Sequence, residues 1–312
     1  MATYIVNDLH GNYDLIQQTV DAIMNMAKGD RLIINGDGAG ARGPRMNRIV
    51  KIFYEVRRGE TDISELLSAL SEIIGEIPDI PKEWVFESVH AGVFRKLMAE
   101  HFAKFNKCME EELLAVIEET VKPLSEAAKD KVKIYYLPGN GEMVPNDFST
   151  KDITVEKALP PEQRFYTKLA KDGYFEKYGI HYIGYVSHCV KSKMALISTN
   201  LLDLNPKEAV IMLQTCGLLK NKLKTVIVHY PPTISPLGSA FGFWAPNKVD
   251  VKRIDNLQKI LDELKLKDAQ IYFGHIHLGA NDPRMDAYPS TMGFVGSGFN
   301  YTWVKPGAVI KI

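Results

Sequence analysis

Residues Arg31 to Pro44 read RLIINGDGAGARGP, a short apolar run followed by an acid and a glycine-rich loop. Leu32, Ile33 and Ile34 are too few for a helix and read as a buried strand that ends where Asp37 begins. Asp37 then stands at a strand tip. A carboxylate there, with glycines letting the backbone come close, suits a metal or a phosphate at the carboxyl edge of an open α/β sheet. Gly38 to Gly43 also spells G-x-G-x-x-G, formally the dinucleotide fingerprint. That reading needs a second strand with a ribose-binding acid about 20 residues on, whereas the chain there runs RRGETDISELLSALSEII, which is helical. Dinucleotide binding is therefore set behind the metal reading.

Composition narrows the classes. With 312 residues, 46% of them hydrophobic and 24% charged, the chain is long enough for one large domain or two small ones. A formal net charge of zero gives no overall excess toward nucleic acid or anionic membranes and leaves only a local basic patch open. Cys108, Cys189 and Cys216 are odd in number and widely spaced. They suggest neither a disulfide framework nor a zinc knuckle, fit a reducing cytoplasm, and read as small buried hydrophobes. The start, MATYIVNDLHG, carries polar groups too early for a signal peptide, and no run of about 18 apolar residues marks a membrane span. These features predict a cytoplasmic location.

Outward from Asp37, Tyr4 to Val6 is a first strand running into Asp8-Leu9-His10. Side chains two apart on a strand share a face, so Asp8 and His10 can aim at one centre. Asp14 to Lys28 has helical spacing and a Gly29 stop, and a right-handed β-α-β crossover brings both strand tips to one edge. Arg45 to Arg58 is a second helix. Residues 60–131 carry only helical signals and form an insertion within a single 1–312 domain, read as a cap, an oligomer contact or the outer layer of the sheet. Pro123 is expected to kink or split its last helix. Lys133 to Leu137 is a strand that delivers Gly139-Asn140-Gly141. Tyr182 to Val186 and Met194 to Ser198 read as short strands, and a helix is expected near Lys207 to Leu219. Thr225 to Val228 ends at His229. A helix over Asp250 to Lys265 precedes the strand Gln270 to Phe273, which ends in Gly274-His275-Ile276-His277, and the last β-runs are Phe294-Val295, Tyr301 to Val304 and Ala308 to Ile312.

Taken singly, each polar residue has an ordinary explanation. Five times, however, an expected strand ends in a candidate ligand: Asp8-x-His10, Asp37, Asn140, His229 and His275-x-His277. Carboxylates, imidazoles and an amide oxygen suit borderline ions such as Mn, Fe, Zn or Co and not calcium, which prefers all-oxygen cages. Arg42, just past the loop, is the candidate phosphate clamp and substrate-binding residue, because a guanidinium grips two phosphate oxygens at once. His90, His101 and His181 read as structural or surface residues, and His188 is left undecided.

In that order, D-x-H, G-D, G-N, H and G-H-x-H resemble the motifs of the calcineurin-like metallophosphoesterase superfamily, and they span nearly the whole chain. The resemblance implies an α/β protein, a four-layer α/β/β/α sandwich with two divalent metal ions at the carboxyl ends of its strands. It implies that Asp8, His10 and His277 hold one ion, that Asn140, His229 and His275 hold the other, and that Asp37 bridges them. Asp37, Arg42 and Asn140 then act in catalysis, a hydroxide held between the ions attacks a phosphate ester, and no ligand position is missing.

The departures are informative. The superfamily often reads G-N-H-D/E, where the histidine serves as a general acid; here Gly141 occupies that place. It also often reads G-D-x-x-D-R-G, whose second aspartate orients the histidine; here Gly40 and Ala41 stand in a stretch one residue longer. Such members resemble phosphodiesterases more than efficient monoesterases. The expectation is a metal-dependent phosphodiesterase. A phosphomonoesterase or protein phosphatase is the alternative, and a catalytically silent scaffold of the same fold is the alternative of another class. The substrate, the native metals and a homo-oligomeric state are left open.

Overall fold

The computed structural model describes residues 1–39, 44–75, 101–143, 160–189, 191–217, 223–235, 237–266, 268–278, 282–296 and 298–312. Arg42, His90 and residues 76–100 of the helical insertion lie outside the described residues.

β1 (Thr3–Val6), α1 (Tyr13–Asn25) and β2 (Arg31–Asn35) open the chain. They are followed by α2 (Pro44–Arg57), α3 (Ile63–Ile74), α4 (Phe102–Ala128), β3 (Lys133–Leu137) and α5 (Phe165–Lys171). Next come β4 (Ile180–Tyr182), β5 (Val186–Cys189), β6 (Met194–Ile197), α6 (Thr199–Leu202), α7 (Pro206–Thr215), β7 (Thr225–Val228) and α8 (Leu237–Ala240). α9 (Lys248–Glu263), β8 (Gln270–Phe273), β9 (Thr291–Gly296), β10 (Phe299–Val304) and β11 (Ile310–Lys311) complete it. The protein is mixed α/β with two mixed sheets, ordered β11-β1-β2-β3-β4 and β5-β6-β7-β8-β10-β9.

The apolar runs that read as strands lack polar alternation because both of their faces are covered. In β1, Val6 joins a core with α1 and α4, while Ile5 faces the other way into a cluster shared by the two sheets. In β2, Leu32 and Ile34 take the first side and Ile33 the second. The second sheet repeats this: Val226 and Val228 of β7 pack with Leu257 and Ile260 of α9, and Ile227 faces Ile5 and Ile33 across the shared cluster. Parallel pairing in level register, Val6 with Ile34 and Ile34 with Tyr136, brings the carboxyl ends of β1, β2 and β3 to one edge. β7 and β8 run parallel in the other sheet.

Several expectations change. The run Tyr182 to Val186 is not one strand. The Ile183 N–H still donates to Tyr136 O in the first sheet, whereas Tyr185 O accepts from Ser198 N in the second, so the chain changes sheets across Gly184. α4 continues unsplit through Pro123, its buried stripe of Met109, Leu113, Ile117, Val121, Leu124 and Ala128 holding the expected helical period. Ile117, Val121, Leu124 and Ala128 lie in the same core as Ile16 and Ile23 of α1, so α4 forms covering for the first sheet. Of the cysteines, Cys108 is buried, whereas Cys189 is partly exposed and Cys216 exposed. Among the described residues no helix is long and apolar enough to cross a membrane.

Candidate metal centre

Each ligand motif follows the end of a strand. Buried asparagines stitch the two sheets together there: Asn7 Nδ2 donates to Phe273 O (3.2 Å) and Val304 O (3.1 Å), and Asn35 Nδ2 donates to Val228 O (2.9 Å). These bonds hold Asp8 and Asp37, one and two residues further on, beside β7 and β8. The backbone then turns sharply. Asp8, His10, Asp37 and His275 all adopt left-handed φ values, 53°, 50°, 47° and 68°. Such conformations in non-glycine residues cost about 1–3 kcal/mol each and persist where the surroundings over-determine them. Gly36 and Gly274 are there for close approach. A Cβ on Gly36, itself at φ 85°, would overlap the His229 ring, and one on Gly274 would stand 2.5 Å from Asp8 Oδ2.

The seven candidate ligands are brought together in two linked groups. His10 Nε2 lies 2.9 Å from His277 Nε2, and Asp8 Oδ1 is 3.9 Å and 3.8 Å from these two nitrogens. Asn140 Oδ1 lies 2.9 Å from His229 Nε2 and 2.8 Å from His275 Nδ1. Asp37 Oδ2 stands between the groups, 3.8 Å from His10 Nε2 and 3.6 Å from His229 Nε2. Its other oxygen is fixed by the Gly141 N–H at 2.6 Å. One atom from each of Asp8, His10, Asp37 and His277 lies within 4.8 Å of the others, a group that can hold a metal ion.

The protonation pattern fits a cation. His229 Nδ1 faces Asn35 O at 3.1 Å and His277 Nδ1 faces Leu278 O at 2.6 Å, so the proton of each ring is drawn to the outer nitrogen and a lone pair is left pointing inward. In these tautomers His229 Nε2 and Asn140 Oδ1 are both acceptors, which repel each other unless a positive ion joins them. Asp8 Oδ1 is buried with no hydrogen-bond partner among the described residues. Burial and the Asp37 charge push the Asp8 carboxyl up to about 7. Burial alone would also raise Asp37, but His229, His10 and the Gly141 N–H hold it well below the usual carboxylate range. Burial drives His229 down to about 3 and lowers His277. The two buried carboxylates stand beside His229 and His277, both of which burial disfavours as cations, and a bound divalent ion would remove the penalty of ionising both acids. The donor set suits the borderline metals expected from the sequence.

Two supporting acids were not singled out in the sequence. Glu142 is buried and accepts from Asp37 N (2.9 Å), Gly38 N (2.7 Å), Gly139 N (2.8 Å) and Tyr136 Oη (2.6 Å), clamping the turns that carry Asp37 and Asn140. Burial and the charge of Asp37 raise it to about 8. Its position after Gly141, the D/E place of G-N-H-D/E, was the available signal. Asp250, in the first turn of α9, puts Oδ1 3.6 Å from His275 Nε2; no motif marked it. His188 is excluded from the chemistry. It lines a 250 Å³ cavity with Arg31 and Cys189, and Arg31 is at the amino end of β2, opposite Asp37.

Compared with protein-family models and with curated proteins, the chain matches no family model and no curated relative.

Proposed function

We propose that this protein is a metal-dependent phosphoesterase of the calcineurin-like type, with its strands and helices arranged as a four-layer α/β/β/α sandwich, two divalent ions at the strand ends, and a preference for phosphodiesters. The observation that carries the reading is the convergence of ligand atoms from Asp8, His10, Asp37, Asn140, His229, His275 and His277, with Asp8 Oδ1 buried and without a hydrogen-bond partner among the described residues.

Asp8, His10 and His277 would hold one ion, Asn140, His229 and His275 the other, with Asp37 shared. Bound there, the ions would supply Lewis acidity and activated water for phosphoryl transfer. The chain's own part is to hold the ligands ready. Glu142 holds the Asp37 backbone N–H, the Gly141 N–H fixes the Asp37 carboxylate, and the backbone carbonyls of Asn35 and Leu278 orient His229 and His277. Gly141 brings no acid to the leaving oxygen, and with His188 at the far end of the sheet that histidine supplies none either. A monoester dianion depends on such protonation more than a diester with a good leaving group, and a positioned acid is worth about 10²–10⁴-fold. This asymmetry supports the diester preference.

One panel tests the reading: metal content of the purified protein, with turnover of a diester and a monoester of the same chromogenic alcohol. Two transition-metal ions per chain and faster diester hydrolysis are expected. Firm monoester preference would overturn the role given to Gly141, and a two-ion protein silent on both esters would favour the scaffold reading.

A further inference from the structure

His275 is backed by a buried polar chain that runs away from the site. The Tyr230 ring packs on the imidazole with 4.1 Å between centroids. Tyr230 Oη donates to Asp250 Oδ1 (3.0 Å), the same oxygen that faces His275 Nε2. Arg253 Nη1 donates to Tyr230 Oη (2.8 Å), and Arg253 Nε and Nη2 grip Asp203 Oδ1 and Oδ2 at 2.7 and 2.8 Å. Arg164 Nη2 closes the far end on Asp203 Oδ2 at 2.6 Å. Tyr230, Arg253, Arg164 and Asp250 are all buried.

The direction of every proton in this chain follows from its arginine end. Arginine only donates, so Tyr230 Oη accepts from Arg253 and must turn its own proton to Asp250. Asp250 Oδ2 takes the Asn247 N–H at 3.1 Å. With both oxygens accepting, the carboxylate can meet His275 Nε2 only as an N–H, which leaves the lone pair on Nδ1, the atom beside Asn140 Oδ1. Buried ion pairs are weak devices for stability, since apolar residues of the same volume often serve as well. The end of this chain on one ligand gives it a different use.

Resting on the proposed two-ion reading, we infer that Asp250, Tyr230 and Arg253 are positioning residues for His275, presetting the ring plane and the tautomer with which it meets its ion. Carboxylates behind metal-bound histidines typically change metal affinity 10–100-fold.

The test is calorimetric titration of the metal-free protein with Co²⁺, reading the number of ions and each affinity. Asp250→Asn is expected to weaken one of the two ions about 10–100-fold and leave the other within about twofold. Tyr230→Phe, which keeps the ring stack, should weaken the same ion less. Asn247→Ala removes the side chain that caps α9 at Val249 N and Asp250 N; it should lower the melting temperature and spare both affinities. If Asp250→Asn fails to fold, Tyr230→Phe against Asn247→Ala decides. Unchanged affinities in Asp250→Asn and Tyr230→Phe overturn the inference alone, as does an Asn247→Ala loss equal to theirs, since affinity would then track helix stability. A wild type that takes up no ion overturns the metal reading and this inference with it.

Discussion

At one half of the site the side chains of His10 and His277 keep 26% and 20% of their surface exposed, while at the other His229 keeps none and His275 9%. In the open half His277 Nδ1 faces Leu278 O, Asp8 Oδ2 accepts from the His275 N–H, and the rings of His10 and His277 approach each other. The closed half is tied to Asn35 O and to the Asp250–Tyr230–Arg253 chain. Side chains packed and hydrogen-bonded from behind lose little freedom when a ligand arrives. On the proposed reading the closed half is the prearranged one, and the open half is where exchange with solvent and approach of a substrate would take place.

The largest effect is expected where the halves meet. On the two-ion reading Asp37→Asn should cut turnover by about 10³-fold or more, because its carboxylate would serve both ions and their charge would be worth several kcal/mol to a phosphoryl transition state. Metal analysis of the variant should show a larger loss than for any other single ligand change. Near-normal turnover in a folded Asp37→Asn protein would remove the two-ion reading altogether.

A second experiment separates the halves by stability in the absence of metal. His229→Ala empties a buried site and strands Asn35 O, so urea unfolding should show a loss of about 2–3 kcal/mol. His10→Ala, partly exposed, should stay within about 1 kcal/mol. Equal losses would show that the closed half is no better built than the open one.

Acidity sharpens the same comparison. Asp8 and Glu142 have folded values of about 7 and about 8, above their ordinary 3.8 and 4.5. Between the ordinary and raised values the folded state binds more protons than the unfolded, so these groups lose stability as pH rises. His229, lowered to about 3, acts oppositely, but its contribution is complete above its ordinary 6.5. From pH 6.5 to 8 the metal-free protein should therefore lose stability. A bound cation favours ionised Asp8 and should flatten that decline. Parallel melting curves with and without metal check this, and a flat profile for the metal-free protein would contradict the burial of these acids.

The smallest effect concerns Gly141, beside Asn140. Gly141→His should move the diester-to-monoester rate ratio toward the monoester by only a few-fold, because no aspartate orients the new ring and a loosely held acid gives little of its usual 10²–10⁴. Steady-state rates on the paired esters measure it, and an unchanged ratio would mean that the ring does not reach the leaving oxygen.

Much of this site was legible before any fold was known. Short β-branched runs ending in Gly-Asp, Gly-Asn or Gly-His are local signals, and the five strand ends carry all seven candidate ligands that the fold brings together. The glycines were legible for the same reason: each stands next to its ligand in the chain. The helical period of α4 also survived Pro123. What local pattern could not reveal was which polar residues support the ligands. Glu142 binds a backbone 104 and 105 residues away, Asn7 reaches 266 and 297 residues, and Asn35 193. No spacing rule links such partners.

By itself the sequence determined the types of the candidate ligands, their order and their places at strand ends, because strand and turn chemistry are written within a few residues. It also determined the absence of an acid at Gly141. Only the tertiary structure decided that the chain leaves one sheet for the other at Gly184, that His188 stands at the wrong end to serve as that acid, and that the two halves of the centre differ in burial. The physical reason is the same in each case. Pairing, burial and the lone pair an imidazole turns inward depend on partners supplied by distant strands and helices, and those exist only once both sheets are packed.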